Sequence, residues 1–191
     1  MVRLNKIYTR TGDAGETGLV DGSRVSKAEP LLAAIGDVDE ANCAIGVALL
    51  HVEHGEIHAM LRRIQNELFD LGADLATPGE DFAPSEMALR IVPEQVDRLE
   101  REIDRMNEEL EPLRSFILPA GGQGTAHLHL ARAILRRAER TAVAATAARP
   151  LNPLALTYLN RLSDHLFVDA RLAAKAGGGD TLWEPGATRS L

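Results

Sequence analysis

The residues best suited to chemistry in this sequence are arginines at helical spacing between positions 132 and 140. At about 100° per residue, Arg132, Arg136 and Glu139 share one helix face, Arg140 lies at its edge, and Arg137 points away. Stacked like charges weaken an isolated helix, but they become favourable opposite a polyanion because guanidinium groups form charge-assisted bonds with phosphate oxygens. Taken as an isolated motif, the segment favours a solvated basic face with Glu/Arg pairing, and a phosphate-binding surface is the alternative.

A glycine-rich segment near the N-terminus offers a second way to hold an anion. Residues 9–18 read TRTGDAGETG, and Lys27 follows after a short loop. Glycines allow backbone N–H groups to converge on an anion, and hydroxyl groups and Arg10 add further donors. The spacing is neither that of a Walker A loop nor that of a Rossmann fingerprint. From composition alone the segment favours a flexible glycine-rich N-terminus, and a phosphate cradle is the alternative.

Two further polar clusters carry less specific signals. Residues 36–42 hold three carboxylates, which are expected either to bind a cation or to pair with the arginines. Asn160, Asp164 and Arg171 recur along one stripe of a predicted helix. They indicate a polar network inside the protein or at an interface, with ordinary hydrogen bonding within the helix as the alternative.

Amphipathic helices are predicted to position these groups. Apolar residues make up 45% of the 191 residues and aromatic residues only 4%, which favours one packed helical domain over a sheet protein. Apolar residues recur at three- and four-residue spacing in five segments, residues 30–54, 56–76, 93–110, 125–148 and 154–176.

The segments divide into one domain with two appendages. Residues 30–178 are expected to form an all-α, five-helix bundle. Residues 1–29 show no helical period and predict an extended, loop-like arm. Residues 179–191 are expected to form a loose tail.

Composition and charge argue against several other classes of protein. The formal net charge of −7 argues against general nucleic-acid binding, since nothing would neutralise a run of phosphates. The single cysteine, Cys43, excludes an intrachain disulfide and a zinc site built from cysteines. No apolar run approaches the roughly 20 residues that span a bilayer, and the N-terminus shows no apolar signal core. We therefore expect a cytoplasmic protein with neither a nucleic-acid nor a membrane partner.

Six short segments stand in a fixed order along the chain. They are YTRTGD at 8–13, DE at 39–40, FDLGADLATP at 69–78, FILP at 116–119, RRAER at 136–140 and LNRLSD at 159–164. In these segments and their order the chain resembles the PduO-type ATP:cob(I)alamin adenosyltransferases. The resemblance extends over most of the sequence, from about residue 7 to residue 183.

The resemblance implies a homotrimer with active sites between subunits, with ATP and cobalamin as substrates and Mg²⁺ as the metal. One subunit would hold ATP through residues of its arm, namely Thr9, Arg10, Thr11, Gly12, Thr17, Gly18 and Lys27. The neighbouring subunit would complete the ATP site with Arg136, Arg137, Glu139, Arg140 and Asn160. Mg²⁺ would be held mainly by phosphate oxygens, with Glu139 as a candidate ligand.

The resemblance also implies a set of catalytic residues. Asp39 would pair with Arg132, Arg136 would act on the triphosphate, and Phe116 would lie beside the corrin. An apolar side chain below the corrin would displace the lower axial ligand and ease the reduction of cobalt(II) to cobalt(I). Residue type alone instead favours a core aromatic for Phe116. A flavin-type reductase and a B12-dependent acceptor enzyme are the implied partners.

The implied reaction is a displacement at the 5′ carbon of ATP, in which cobalt(I) is the nucleophile and triphosphate leaves. Such a reaction requires alignment of the reactants and stabilisation of a highly charged leaving group, but no protein base or nucleophile. Two other functions remain open at this point. One is a nucleotide-binding regulator without corrinoid chemistry, and the other is a purely structural helical oligomer.

Overall fold

The computed structural model describes residues 7–86 and 88–189, and five α-helices account for most of them. They are α1 (Pro30–Leu49), α2 (Gly55–Leu75), α3 (Pro93–Asn107), α4 (Gln123–Ala145) and α5 (Pro153–Lys175). The predicted five-helix architecture is confirmed, although α1 ends at Leu49 rather than at residue 54. Residues 1–6 of the predicted arm and residues 190–191 of the predicted tail lie outside the described residues.

Proline residues define where three of the helices begin. Pro30, Pro93 and Pro153 each lie in a first turn, where the missing N–H group costs no helical hydrogen bond. At the start of α5, Asn152 Oδ1 accepts a hydrogen bond from the backbone N–H of Leu154 at 3.0 Å. The start of α5 is therefore fixed by residues 152 and 153 together.

The bundle is organised around α4. This helix packs between α1 and α5, while α2 packs against α1 and α3 packs against α5. Leu135, Ala138 and Ala142 of α4 are completely buried in the core. Because these apolar residues fix the rotation of α4 about its axis, the face that carries Arg136 and Arg140 is turned to the surface.

The arm contains a short hairpin, so the expectation of a purely loop-like arm is wrong for these residues. β1 (Glu16–Gly18) pairs antiparallel with β2 (Arg24–Ser26). Leu19, at the end of β1, is buried in the core. The backbone N–H of Val20 donates to the carbonyl oxygen of Ala76 at 3.1 Å, just beyond the end of α2. The hairpin is thereby attached to one end of the bundle.

The segment after α5 is also more ordered than expected. The backbone N–H of Trp183 donates to the Phe116 carbonyl at 2.8 Å, and the N–H of Leu118 donates to the Thr181 carbonyl at 2.8 Å. Ile117 and Leu182 form an antiparallel bridge between the same two segments. The interpretation of a loose tail is therefore wrong for residues 181–183.

A buried network of charged groups joins α2, α3 and α5. His165 is fully buried, with its Nδ1 2.8 Å from Asp169 Oδ2 and its Nε2 3.0 Å from Glu102 Oε2. Glu102 also accepts two hydrogen bonds from Arg63, at 2.6 and 2.8 Å. Burial alone would lower the pKa of His165, but Asp169 and Glu102 outweigh burial and raise it to about 9. Burial would raise the pKa of Glu102, but His165 and Arg63 lower it to about 2.

Within the described ranges, no helix is both long enough and apolar enough to cross a lipid bilayer.

Candidate active site

The predicted arginine cluster lies on the outer face of α4. Arg136 and Arg140 are both exposed, and Arg140 donates to the backbone carbonyl of Arg136 at 3.0 Å. Asn160, on the neighbouring helix α5, donates from Nδ2 to Glu139 Oε1 at 2.9 Å. Four residues predicted for the ATP site are thus brought onto one surface formed by α4 and α5. The exposed guanidinium groups can donate to a polyanion without first losing a partner within the core.

Arg137 points away from Arg132 and Glu139, toward α1, as its helical position allows. It forms ion pairs with Asp37 and Glu40 of α1, with its Nε 3.1 Å from Asp37 Oδ1. Thr141 donates to the other oxygen of Asp37 at 2.7 Å. Of the two roles left open for the acidic cluster, the structure supports pairing with the arginine helix. Arg137 joins α4 to α1 through these ion pairs. Its predicted contact with ATP is not explained by them and remains a prediction.

The glycine-rich loop is closed on itself by residues of the hairpin. Lys27 Nζ donates to the carbonyl oxygen of Gly12 at 2.8 Å, and its backbone N–H donates to the carbonyl of Gly15 at 2.8 Å. The hydroxyl groups of Thr9 and Thr11 lie 2.9 Å apart. The hydrogen bonds and ion pairs that the described structure gives to residues 9–18 all go to other residues of the arm. The loop and the arginine surface of α4 are therefore not joined within one chain.

Thr17 and Gly18, the other two arm residues predicted to contact ATP, belong to β1. Thr17 pairs with Val25 of β2 and is half-buried, whereas Gly18 is exposed. Arg10 is also exposed, and its guanidinium carbon lies 5.8 Å from the centre of the Tyr8 ring. The arm thus presents its predicted donors at the surface.

Phe116 lines a cavity of about 680 Å³ that contains three aromatic side chains, and it is not a core residue. Its side chain is 77% exposed, and its ring centre lies 6.0 Å from that of Trp183. Phe167 of α5 lines the same cavity, and the Arg132 guanidinium carbon lies 5.9 Å from the centre of that ring. The arrangement offers a broad apolar surface with two cations, Arg114 and Arg132, in its lining, which suits a large, flat, amphipathic ligand.

The guanidinium group of Arg132 is partly buried without an anionic partner among the described residues. Its Nε is buried and has no hydrogen-bond partner among the described residues. Burial, followed by the positive charge of Arg136, lowers its pKa. An anion beside Arg132 would relieve both effects.

Asp39 does not meet Arg132 within one chain. It is exposed on α1 and lines a separate groove of about 580 Å³ between α1 and α2, where Phe69 is also exposed. Neither Asp39 nor Arg132 takes part in any ion pair formed among residues 7–86 and 88–189. The predicted pairing therefore remains a prediction about two subunits.

Two features of this region differ from what the sequence suggested. Trp183, the only tryptophan of the chain, was not singled out, although it packs against Phe116. Asn160, Asp164 and Arg171 do not form one network: Asn160 binds Glu139, Asp164 accepts from Arg161, and Arg171 donates to Asp180. Asn160 thus faces α4 and Arg171 faces the segment after α5, whereas Asp164 pairs within α5, as the alternative of hydrogen bonding within the helix predicts.

The described part of the chain holds no cluster of three or more histidine, cysteine or acidic side chains able to bind a metal ion by themselves. Glu139 is a single half-buried carboxylate whose Oε1 already accepts from Asn160. One carboxylate is nevertheless compatible with Mg²⁺, which keeps several water ligands and commonly binds through substrate phosphates.

The fold and the site define a five-helix bundle with exposed arginines on α4 and an aromatic cavity lined by Arg132, Phe116 and Trp183. Within that class the chain belongs to the cobalamin adenosyltransferase family, whose model matches residues 7–173.

Curated relatives match almost the whole chain. A corrinoid adenosyltransferase of Mycobacterium tuberculosis (strain H37Rv) is 50% identical over 192 residues, covering 99% of this chain and 98% of that protein. A cobalamin adenosyltransferase of Cupriavidus metallidurans is 47% identical, covering 95% of this chain and 96% of its own length.

Solved structures agree with this assignment. One is a phenylalanine-to-alanine variant of the PduO-type ATP:corrinoid adenosyltransferase from Lactobacillus reuteri, complexed with cobalamin and ATP. It is 37% identical and superimposes with a TM-score of 0.86, covering 94% of this chain and 99% of that chain. An arginine-to-lysine variant of the Lactobacillus reuteri enzyme, complexed with ATP, superimposes with a TM-score of 0.84 at 36% identity, covering 94% and 100%.

Proposed function

We propose that this protein transfers the 5′-deoxyadenosyl group of ATP to the cobalt of reduced cobalamin, giving adenosylcobalamin and triphosphate. The observation that carries the proposal is its membership of the cobalamin adenosyltransferase family over nearly its full length. The Lactobacillus reuteri neighbour complexed with cobalamin and ATP identifies the two substrates.

The chemistry assigns the protein a task of alignment and electrostatics. Cobalt(I) attacks the 5′ carbon, the bond from that carbon to the triphosphate oxygen breaks, and the leaving triphosphate takes the electron pair. We assign Arg136 and Arg140 to stabilising the negative charge that develops on the leaving group, because both guanidinium groups are exposed on one surface. Asn160 orients Glu139 on the same surface, through the 2.9 Å hydrogen bond.

We propose that each active site is assembled from two subunits of a homotrimer. The arm loop makes its hydrogen bonds within the arm, and the arginine surface of α4 lies on a different part of the same chain. In such a trimer the loop of one subunit, with Lys27, would close over the arginine surface of the next. The same assembly would bring Asp39 of one subunit to Arg132 of its neighbour, which would supply the anion that Arg132 lacks within the chain.

We assign Phe116 to the lower face of the corrin. Its exposure and the aromatic cavity beside it favour contact with a ligand over a role in core packing. An apolar ring at that position would keep the lower axial ligand away and make cobalt(II) easier to reduce. Trp183 is expected to support the Phe116 ring from the side, given the 6.0 Å separation of the ring centres.

We further propose that Mg²⁺ binds mainly through the phosphates of ATP, with Glu139 contributing at most one ligand. The reaction needs a supply of electrons for cobalt, so a flavin-type reductase is the proposed upstream partner. The product is itself a cofactor, so a B12-dependent enzyme is the proposed acceptor. We place this protein, together with both proposed partners, in the cytoplasm.

The test is a spectrophotometric assay with ATP, Mg²⁺ and chemically reduced cobalamin. The proposed function requires that adenosylcobalamin and inorganic triphosphate form in equal amounts. A nucleotide-binding regulator would bind ATP and leave the corrinoid unchanged. A purely structural oligomer would not bind ATP at all. Either of these results would reject the proposal.

A further inference from the structure

The backbone of the glycine-rich loop adopts a conformation that needs external support. Arg10 has a φ of +63°, in the left-handed region that residues other than glycine rarely adopt. In the two turns that follow, the N–H of Asp13 donates to the Arg10 carbonyl at 3.3 Å and the N–H of Gly15 donates to the Gly12 carbonyl at 3.2 Å. A strained backbone of this kind persists only where surrounding groups hold it in place.

Two cationic side chains hold the loop, one from β2 and one from the residue that directly follows β2. Arg24 donates from a terminal nitrogen to the carbonyl oxygen of Thr11 at 2.7 Å, and Lys27 Nζ donates to the carbonyl of Gly12 at 2.8 Å. Two successive carbonyl groups therefore point toward these cations. Because a trans peptide directs its N–H group opposite to its carbonyl group, the N–H of Gly12 points away from Arg24.

The two cations differ in how their positions are fixed. Arg24 lies opposite Gly18 in the antiparallel hairpin register, and its Nε lies 3.7 Å from a carboxylate oxygen of Glu16. The hairpin and this carboxylate orient the Arg24 guanidinium toward the loop. Lys27 carries its ammonium group on a flexible stem with three donors, so it can turn to a phosphate while Arg24 remains in place.

We propose that Arg24 is a positioning residue for ATP binding: its hydrogen bond to the Thr11 carbonyl holds the loop of residues 9–15 in the conformation that receives the triphosphate. This proposal rests on the proposed function, in which the loop contacts ATP. Arg24 acts through the loop backbone and does not itself contact the nucleotide.

The experiment compares Arg24→Ala with the wild-type full-length protein in two measurements. The first is hydrogen–deuterium exchange of the peptide covering residues 9–18 in the absence of nucleotide. Loss of the hydrogen bond should speed the exchange of the Asp13 and Gly15 amides by about three- to tenfold, because the loop opens more often. The second is steady-state kinetics, where the KM for ATP should rise by about three- to tenfold with kcat within about twofold of wild type.

Two further variants control for charge and for a general effect on folding. Arg101→Ala removes an exposed arginine of α3 and should leave both measurements unchanged. Arg24→Lys keeps a cationic donor and should restore most of the protection of the loop. Because Arg24 is exposed, the melting temperature of Arg24→Ala should match that of Arg101→Ala.

Three results would overturn the proposal. A raised KM with unchanged exchange in the nucleotide-free protein would mean that Arg24 contacts ATP directly. Unchanged KM and unchanged exchange would make Arg24 an ordinary surface residue. Faster exchange with an unchanged KM would separate the loop conformation from ATP binding. Failure of the proposed function is detected separately, since the wild-type protein would then form no adenosylcobalamin.

Discussion

Replacing Phe116 by alanine separates a role at the corrin from a role in packing. A phenylalanine buried in a core costs about 3–5 kcal/mol when truncated to alanine. Phe116 is 77% exposed. About a quarter of its surface is therefore buried, which corresponds to roughly 0.5 kcal/mol if full burial is worth about 1.5–3 kcal/mol. The contact with Trp183 adds about 0.5–1.5 kcal/mol for an aromatic pair. The total loss should therefore stay below about 2 kcal/mol, a fall of a few degrees in melting temperature.

The effect on activity should depend on the starting oxidation state of cobalt. With cobalt(II) and a weak reductant, Phe116→Ala should lower adenosylation by orders of magnitude, because water or the lower ligand returns to cobalt. With corrinoid already reduced to cobalt(I), the loss should be much smaller, since the arginine surface is intact. Leu89→Ala, which removes another exposed apolar side chain from the loop between α2 and α3, is the matched control and should change neither rate.

The assays follow the absorbance change of the corrinoid from both starting states, together with thermal unfolding of each variant. Equal losses from cobalt(II) and cobalt(I), with a large fall in melting temperature, would refute the reasoning and make Phe116 a structural residue.

Three further predictions concern the arginine surface, the proposed subunit contact and the buried charges. Arg136→Ala should lower kcat through a loss of about 2.7–4 kcal/mol of transition-state stabilisation, with little change in melting temperature. If the variant kept the wild-type kcat and KM for ATP, Arg136 would be a solvated surface residue. Asp39→Asn and Arg132→Lys should each impair corrinoid binding and assembly, and a double-mutant cycle should show coupling; additive effects in both measurements would argue against the pair. His165, whose pKa is raised from 6.5 to about 9, should stabilise the fold fully below about pH 6.5 and lose this contribution as the pH rises through 9. Glu102, whose pKa is lowered from 4.5 to about 2, should lose its contribution as the pH falls from 4.5 toward 2. Between about pH 6.5 and pH 9, the melting temperature should therefore fall less in His165→Gln than in the wild-type protein. An identical fall in the two proteins would contradict a stabilising charge on His165.

The helices could be predicted because their apolar residues repeat with the helical period. The stripe of α2 is a clear case, since Ile57, Leu61, Ile64 and Leu68 are all buried. Periodicity predicts too late an end for α1. The helix ends at Leu49, but Val52 continues the apolar pattern and is itself buried. A buried apolar residue in a turn cannot be distinguished from one in a helix by periodicity alone.

The parts of the site that escaped prediction depend on contacts between distant segments. The hairpin strands are three residues each, too short for alternation to be recognised. Trp183 reaches Phe116 through backbone pairing of residues 181–183 with residues 116–118, which no local pattern indicates. The i, i+4 spacing of His165 and Asp169 is visible in the sequence, but their partner Glu102 lies on another helix. Residue type and spacing identified candidate residues, whereas the partners of those residues required the fold.

The most direct test of this account is complementation between two inactive variants, because its central claim is that one active site takes residues from two subunits. Lys27→Ala removes a residue of the arm half and Arg136→Ala removes a residue of the α4 half, so each variant alone should have little activity. Unfolding and refolding the two together in equal amounts should produce mixed trimers in which about a quarter of the sites combine two intact halves. The account predicts recovery of about a quarter of wild-type activity in the mixture. A mixture no more active than the separate variants, although mass spectrometry detects mixed trimers, would contradict a site shared between subunits.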